Sequence, residues 1–137
     1  EDLVQAIGSV LAAIEVVDSR VANWNIRISD TIADNASGSH FILGPASRTL
    51  DEITPAEVQM TLFKNGEHVS DGSGAACMDD PLNAALWLAQ KMQAQGSPLR
   101  AGEVLLSGAL GPMVPIAPGD ELRLEISGFD PVELSVK

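Results

Sequence analysis

One cysteine, Cys77, in 137 residues excludes an internal disulfide and a cysteine-built zinc site, and the scarcity of thiols fits a reducing cytoplasm. Imidazole is almost as rare, with only His40 and His68 present. Cations are few: 8 Lys and Arg stand against 19 Asp and Glu, for a formal charge of -11. Phosphate backbones and anionic membrane surfaces are repelled by such a chain, so neither nucleic acid nor a membrane is an expected partner. No apolar run approaches the roughly 20 residues of a membrane span, and a start at Glu1-Asp2 does not resemble a secretory signal peptide. Also missing are a phosphate-cradling glycine motif, a G-x-S-x-G nucleophile elbow and two histidines at helical spacing. Ordinary nucleotide-binding and hydrolase chemistries are excluded with them. Any metal must be held chiefly by carboxylates and other oxygens, which favours magnesium or manganese.

Against this background one carboxylate stands out. Glu15 lies in Val10-Leu11-Ala12-Ala13-Ile14-Glu15-Val16-Val17, where every neighbour is apolar. Either it points outward from a half-buried strand into water, or it is desolvated and needs a cation or several donors. Asp18, Ser19 and Arg20 follow directly, so the strand ends in polar groups suited to lining a cleft. Glu15 is therefore a candidate metal ligand.

The length is that of one domain over residues 1–137, and 45% hydrophobic residues fill a core. Leu3, Val4, Ile7, Val10, Leu11 and Ile14 recur at helical spacing behind Asp2, which predicts an amphipathic first helix running into a strand over 14–17. Residues 23–38 are small and polar and predict a helical turn and a loop. His40 to Leu43 reads as a short strand closed by Gly44-Pro45. Asn65-Gly66 predicts a tight hairpin over about 57–71. Asp80 as cap, Pro81 at the first position and Gly96 past the end predict a helix over 81–95, with Leu82, Ala85, Leu86, Ala89 and Met92 as its buried stripe. Residues 104–107, 113–116, 122–126 and 132–136 read as strands between Gly and Pro turns. The expected fold class is α+β, mostly sheet. Gly72-Ser73-Gly74 and Ser107-Gly108-Ala109-Leu110-Gly111-Pro112 are either plain turns or backbone cradles for a small anion. Trp24 and Trp87 read as core or subunit-interface residues.

Four blocks in order carry a resemblance: Ala13-Ile14-Glu15-Val16-Val17-Asp18-Ser19-Arg20, Asp30-Thr31-Ile32-Ala33-Asp34-Asn35-Ala36-Ser37, Asp80-Pro81-Leu82-Asn83-Ala84-Ala85-Leu86-Trp87-Leu88-Ala89 and Leu106-Ser107-Gly108-Ala109-Leu110-Gly111-Pro112-Met113. They resemble the 2-oxopent-4-enoate hydratases of the fumarylacetoacetate hydrolase superfamily, nearly from end to end. Only Gly128-Phe129-Asp130-Pro131 departs from the family's usual ending. The resemblance implies a mixed β-sheet roll with flanking helices that carries one divalent cation, Mg2+ or Mn2+. It makes Glu15 the third carboxylate ligand, the first two being a Glu-x-Glu pair that precedes the stretch seen here, so the chain looks like the C-terminal half of such an enzyme.

The activity so implied is that of a lyase in aromatic-compound catabolism, adding water to 2-hydroxypenta-2,4-dienoate to give 4-hydroxy-2-oxopentanoate, with the cation as Lewis acid. Asp34, Asn35 and Ser37 would handle the proton or position water, and Ser107 and Gly108 would hold the substrate carboxylate. Asp18 and Arg20 would form an orienting pair at the substrate. Decarboxylation of 4-oxalocrotonate on the same scaffold is the alternative, and a non-catalytic assembly module is another, since two of three metal ligands are absent. A homo-oligomer, or a complex with a pathway enzyme, is the expected assembly.

Overall fold

The computed structural model describes residues 2–137; Glu1, which entered the reading of the chain's start, lies outside them. In chain order the regular elements are α1 (Asp2–Ala6), β1 (Val10–Val17), α2 (Ile28–Ala33), β2 (Gly38–Arg48), β3 (Gln59–Lys64), β4 (Glu67–Ser73), α3 (Pro81–Ala94), β5 (Glu121–Ile126) and β6 (Val132–Ser135). The α+β class holds. Every ladder among the described residues is antiparallel: β1 pairs with β2, and a second sheet runs β4-β3-β5-β6.

The first helix is shorter than the spacing predicts. It stops at Ala6, and Val10, Leu11 and Ile14 belong to β1. Gly8-Ser9 breaks the helix, and the branched run behind it favours an extended backbone. β2 is correspondingly longer than 40–43 and continues through Gly44-Pro45 to Arg48. A two-stranded ladder has two open edges, so the missing N–H of Pro45 can face outward. Gly44 lets the strand lie on the second sheet, because a Cβ there would meet Val132 Cγ2 at 2.9 Å.

β5 shows why the second sheet forms. Leu122, Leu124 and Ile126 are buried while Glu121, Arg123 and Glu125 are exposed, the alternation of a sheet with one wet face. Met60 and Leu62 of β3 pair with Ile126 and Leu124, and Val132 of β6 pairs with Leu124. Ala12 from β1 joins Val58, Met60, Leu124, Ile126 and Val132 in the core, with Ile14, Ile42 and Phe129 packed against it. Each large aliphatic group so buried stabilises by about 2 kcal/mol. The core therefore sits between the β1-β2 ladder and the inner face of the second sheet, and it fixes which face of β1 is left outside.

The hairpin forms where Asn65-Gly66 places it, with φ of 52 and 83° at the two turn residues, the geometry of a type I′ turn. Asp120 locks this end: it lies 2.9 Å from Lys64 Nζ and accepts from Asn65 Nδ2 at 2.8 Å and from the Ala117 N–H at 2.8 Å. The hydrogen bond from Lys64, then those from Asn65 and Ala117, hold the Asp120 carboxyl down from 3.8 to about 2. A carboxylate depressed on folding stabilises fully above its unfolded value and loses that contribution as pH falls through its folded one. Asp120→Asn is therefore expected to lower the thermal midpoint at pH 7, and the gap from the parent should close between pH 4 and 2 in a series of thermal melts.

α3 runs Pro81–Ala94 with the Asp80 carboxylate accepting from the Leu82 N–H at 2.8 Å. Its buried residues are Ala84 and Ala85, and Leu86, expected in the stripe, is 43% exposed. Trp24 and Trp87 are both about half exposed, so neither is a core residue of this chain. Residues 104–107 and 113–116 are not strands. Around 113–116, Pro112, Pro115 and Pro118 remove ladder donors, and that segment is held through a carbonyl, Lys64 Nζ donating to Pro115 O at 2.9 Å.

Candidate functional site

β1 packs Ala12 and Ile14 inward, so the alternation of a strand turns Ala13 and Glu15 outward. Glu15 is exposed, with Phe41 directly opposite it on β2 and Leu43 opposite Ala13. Phe41 is 48% and Leu43 39% exposed. The outer face of the β1-β2 ladder is thus apolar apart from one carboxylate, which has no hydrogen-bond or ion-pair partner among the described residues.

Between β1 and β2 the chain makes an excursion over residues 18–37 that returns beneath Glu15. Asp30 accepts from the Arg27 N–H at 2.8 Å and anchors the start of α2, an acidic group at a helix N-terminus. After α2 come three successive left-handed residues, Asn35, Ala36 and Ser37, with φ of 52, 57 and 58°. Asn tolerates this backbone, Ala and Ser do so at about 1 kcal/mol or more each, and the surroundings must hold them. Ser37 N–H donates to Asp34 O and Asp18 N–H to Ser37 O, both at 2.9 Å. Ser37 is 2% exposed, and its hydroxyl has no partner among the described residues.

Arg20 ties the excursion shut. Its Nη1 donates to the Gly38 carbonyl at 2.9 Å and lies 3.3 Å from Asp34 Oδ1 and 3.5 Å from the carbonyls of Asp18 and Asp34. Its backbone N–H donates to Asp34 Oδ2 at 3.2 Å. Asp18 and Arg20, expected as an orienting pair, meet only through the Asp18 carbonyl; the carboxylate that Arg20 pairs with is that of Asp34, at the end of α2.

Gly38 has φ -65 and ψ 129°, a conformation any residue adopts. Its bareness is a matter of space: a Cβ there would lie 3.2 Å from Glu15 Oε1 and 3.3 Å from the Asn35 carbonyl oxygen. Glu15 thus sets one carboxylate oxygen over Gly38, a donor suited to a hard divalent cation or its water, while the Asn35 carbonyl beside it accepts from the Gly38 N–H. Among the described residues no three His, Cys, Asp or Glu gather as a metal site. The donor chemistry fits, and the remaining oxygens have to come from outside this set. The structure brings the expected Glu15, Asp34, Asn35 and Ser37 to one end of the β1-β2 ladder, with Gly38, which carries no side-chain signal in the sequence, between them.

Ser107 and Gly108 belong to a different part of the molecule. Ser107 O accepts from Cys77 Sγ at 3.2 Å. Leu110 O accepts from Ser73 N–H at 3.0 Å and Pro112 O from Ser70 Oγ at 2.8 Å. Gly72 and Gly74 are packed on backbone rather than open as an anion cradle, a Cβ at either falling within 1.8 Å of Leu110 O or Pro55 O. The donors of residues 107–111, the Ser107 hydroxyl and Gly108 N–H among them, have no partner among the described residues. His68 is bound to Asp71 at 2.8 Å and His40 to Ser39 Oγ at 2.7 Å. An open groove of about 550 Å³ lies on the outer face of the second sheet, lined by Phe63, Arg123 and Glu133 among others; none of the candidate residues reaches it.

The family model for the fumarylacetoacetate (FAA) hydrolase C-terminal domain matches residues 1–137. The chain belongs to this hydrolase family. Among curated relatives it is 50% identical over 131 residues to the "TodF product hydratase" of Pseudomonas putida F1, covering 96% of this chain and 49% of that protein. It is 48% identical over 132 residues to the "2-keto-4-pentenoate hydratase" of Paraburkholderia xenovorans LB400, with the same coverage. Among solved structures it superposes with TM-score 0.95 and 33% identity on a 4-oxalocrotonate decarboxylase from Pseudomonas putida G7 complexed with magnesium and adipate, over 99% of this chain and 52% of that one. The chain spans about half the length of the curated relatives it matches. No helix among the described residues is long and apolar enough to cross a membrane, and the α+β fold is that of the fumarylacetoacetate hydrolase C-terminal domain.

Proposed function

We propose that this chain supplies one side of the active centre of a metal-dependent hydratase, which adds water to 2-hydroxypenta-2,4-dienoate to give 4-hydroxy-2-oxopentanoate in the breakdown of aromatic compounds. The observation that carries it is the single carboxylate of Glu15 on an otherwise apolar strand face, set over the bare Cα of Gly38. Glu15 would hold Mg2+ or Mn2+ together with oxygens from outside the described residues; when bound, the cation supplies electrostatic stabilisation of the negative charge that develops as the dienoate ketonises. Asn35 and Ser37 orient water and hold the proton in transit, and Asp34, both of whose oxygens meet Arg20, keeps their turn in place. Ser107 Oγ and the Gly108 N–H bind the substrate carboxylate. Phe41 and Leu43 exclude water from the hydrocarbon end. The substrate is a small 2-oxo or 2-hydroxy dienoic acid, and the working protein is an assembly of several copies.

The hydratase reading is supported by relatives of that name at 48 to 50% identity, against 33% for the decarboxylase structure. The decarboxylase keeps its place as the second reading because of its superposition at 0.95. Loss of the dienoate ultraviolet absorbance, with Mg2+ or Mn2+ and a chelator control, is the deciding assay. Chelator-sensitive turnover of hydroxypentadienoate faster than of 4-oxalocrotonate is expected; the reverse preference would transfer the assignment to the decarboxylase. Absence of turnover with either acid under any metal would make this chain a non-catalytic assembly module.

A further inference from the structure

We propose that Arg20 is a positioning residue rather than a substrate ligand: its guanidinium locks the turn that carries Gly38 beneath Glu15, and so fixes the direction in which Glu15 presents its oxygens. This role rests on Glu15 being a metal ligand. Four contacts of the Arg20 Nη1 run to the chain itself, to the carbonyls of Asp18, Asp34 and Gly38 and to Asp34 Oδ1. The backbone N–H of the same residue takes the second oxygen of Asp34. Arg20 and Asp34, 14 residues apart, are thus joined through side chain and main chain at once, as a clasp across the mouth of the 18–37 excursion.

What the clasp holds is a backbone that does not hold itself. Asn35, Ala36 and Ser37 are all left-handed and none is glycine. The turn hands the chain to Gly38, and the Gly38 carbonyl receives the shortest of the Arg20 bonds, at 2.9 Å. On the other side of Gly38 the missing Cβ leaves 3.2 Å to Glu15 Oε1 and 3.3 Å to the Asn35 carbonyl oxygen. A shift of this backbone by a few tenths of an ångström moves the Asn35 oxygen and pushes on the Glu15 carboxylate. All of these side-chain contacts come from one nitrogen, Nη1, placed at the meeting point of the three carbonyls and the Asp34 carboxylate. Groups that orient a metal ligand without touching the metal commonly change its affinity ten- to a hundredfold.

The test is a titration with Mn2+ of the 15N-labelled chain joined to the portion that supplies the other carboxylate ligands, reading paramagnetic broadening of individual amide signals. The Glu15, Asn35 and Gly38 amides of the parent are expected to broaden together, and Glu15→Gln to abolish that broadening, which separates this site from the other carboxylates. Arg20→Ala should require about tenfold more Mn2+ for the same broadening, with Arg20→Lys recovering part of the loss. Gly38→Ala leaves the Arg20 bonds in place and presses directly on Glu15, and should weaken broadening by a similar factor with amide dispersion intact. If Arg20→Ala loses its dispersion, the Arg20→Lys and Gly38→Ala titrations carry the comparison. Broadening of the Arg20 variants at parental Mn2+ concentrations would overturn the positioning role while leaving Glu15 as a ligand. A parent with no broadening dependent on Glu15 would remove the metal-ligand role itself, and the positioning role with it.

Discussion

On the proposed function, Glu15→Gln in the complete enzyme is expected to lower metal-dependent hydration of the dienoate by about a thousandfold. The substitution keeps the length and shape of the side chain and removes only its negative charge, which a hard divalent cation requires of its oxygen ligands. Charge stabilisation by such a cation is worth several kcal/mol, and each 1.36 kcal/mol is a factor of ten in rate, so loss of about 4 kcal/mol gives the expected size. Stability should hardly change, because the carboxylate is exposed and makes no hydrogen bond or ion pair among the described residues; exposed positions of this kind fall within about 0.5 kcal/mol. The check is the dienoate absorbance assay at saturating Mn2+ beside a thermal melt. Unchanged turnover in a folded variant would end the assignment of Glu15 as a ligand.

Glu15 was legible in the sequence because an ionisable group among eight strand residues that are otherwise apolar is costly unless something meets it. The helix over 81–94 and the hairpin at Asn65-Gly66 were legible for a related reason: a cap, a first-turn proline, a trailing glycine and a two-residue turn each act within a few positions of where they stand. The start of β1 was not, because Leu3, Val4, Ile7, Val10, Leu11 and Ile14 satisfy helical spacing by coincidence across the break at Gly8-Ser9. Nor were the strands expected over 104–107 and 113–116, whose apolar runs mimic strands; in the second, Pro115 removes a ladder donor. The clasp between Arg20 and Asp34 could not be read at all. It joins residues 14 apart across α2, and no local preference of either residue announces it. The site was therefore legible in its chemistry and hidden in its support.

Gly72→Ala is expected to destabilise the chain by about 3 kcal/mol or more, enough to lower the thermal midpoint by about 10 °C. Gly72 does not have a positive φ, so the cost is not conformational. A Cβ there would lie 1.8 Å from Leu110 O, 2.4 Å from Leu110 C and 2.8 Å from Gly111 Cα, all of them backbone atoms with no rotamer to escape into. The 107–112 loop must lift from β4, which breaks the bond from Ser73 N–H to Leu110 O and strips Ser70 Oγ of Pro112 O. Ser70 is 4% exposed, and a buried hydroxyl left unpaired adds about 1–3 kcal/mol. Gly8→Ala is the matched control, since a Cβ there meets nothing within 4 Å and the midpoint should stay put. The comparison also decides between two meanings of the Gly72-Ser73-Gly74 motif. If these glycines cradled an anion, Gly72→Ala would keep the melt and weaken substrate binding alone. If they let two backbones touch, the melt falls first, and binding falls with it because Ser107 and Gly108 ride on the displaced loop.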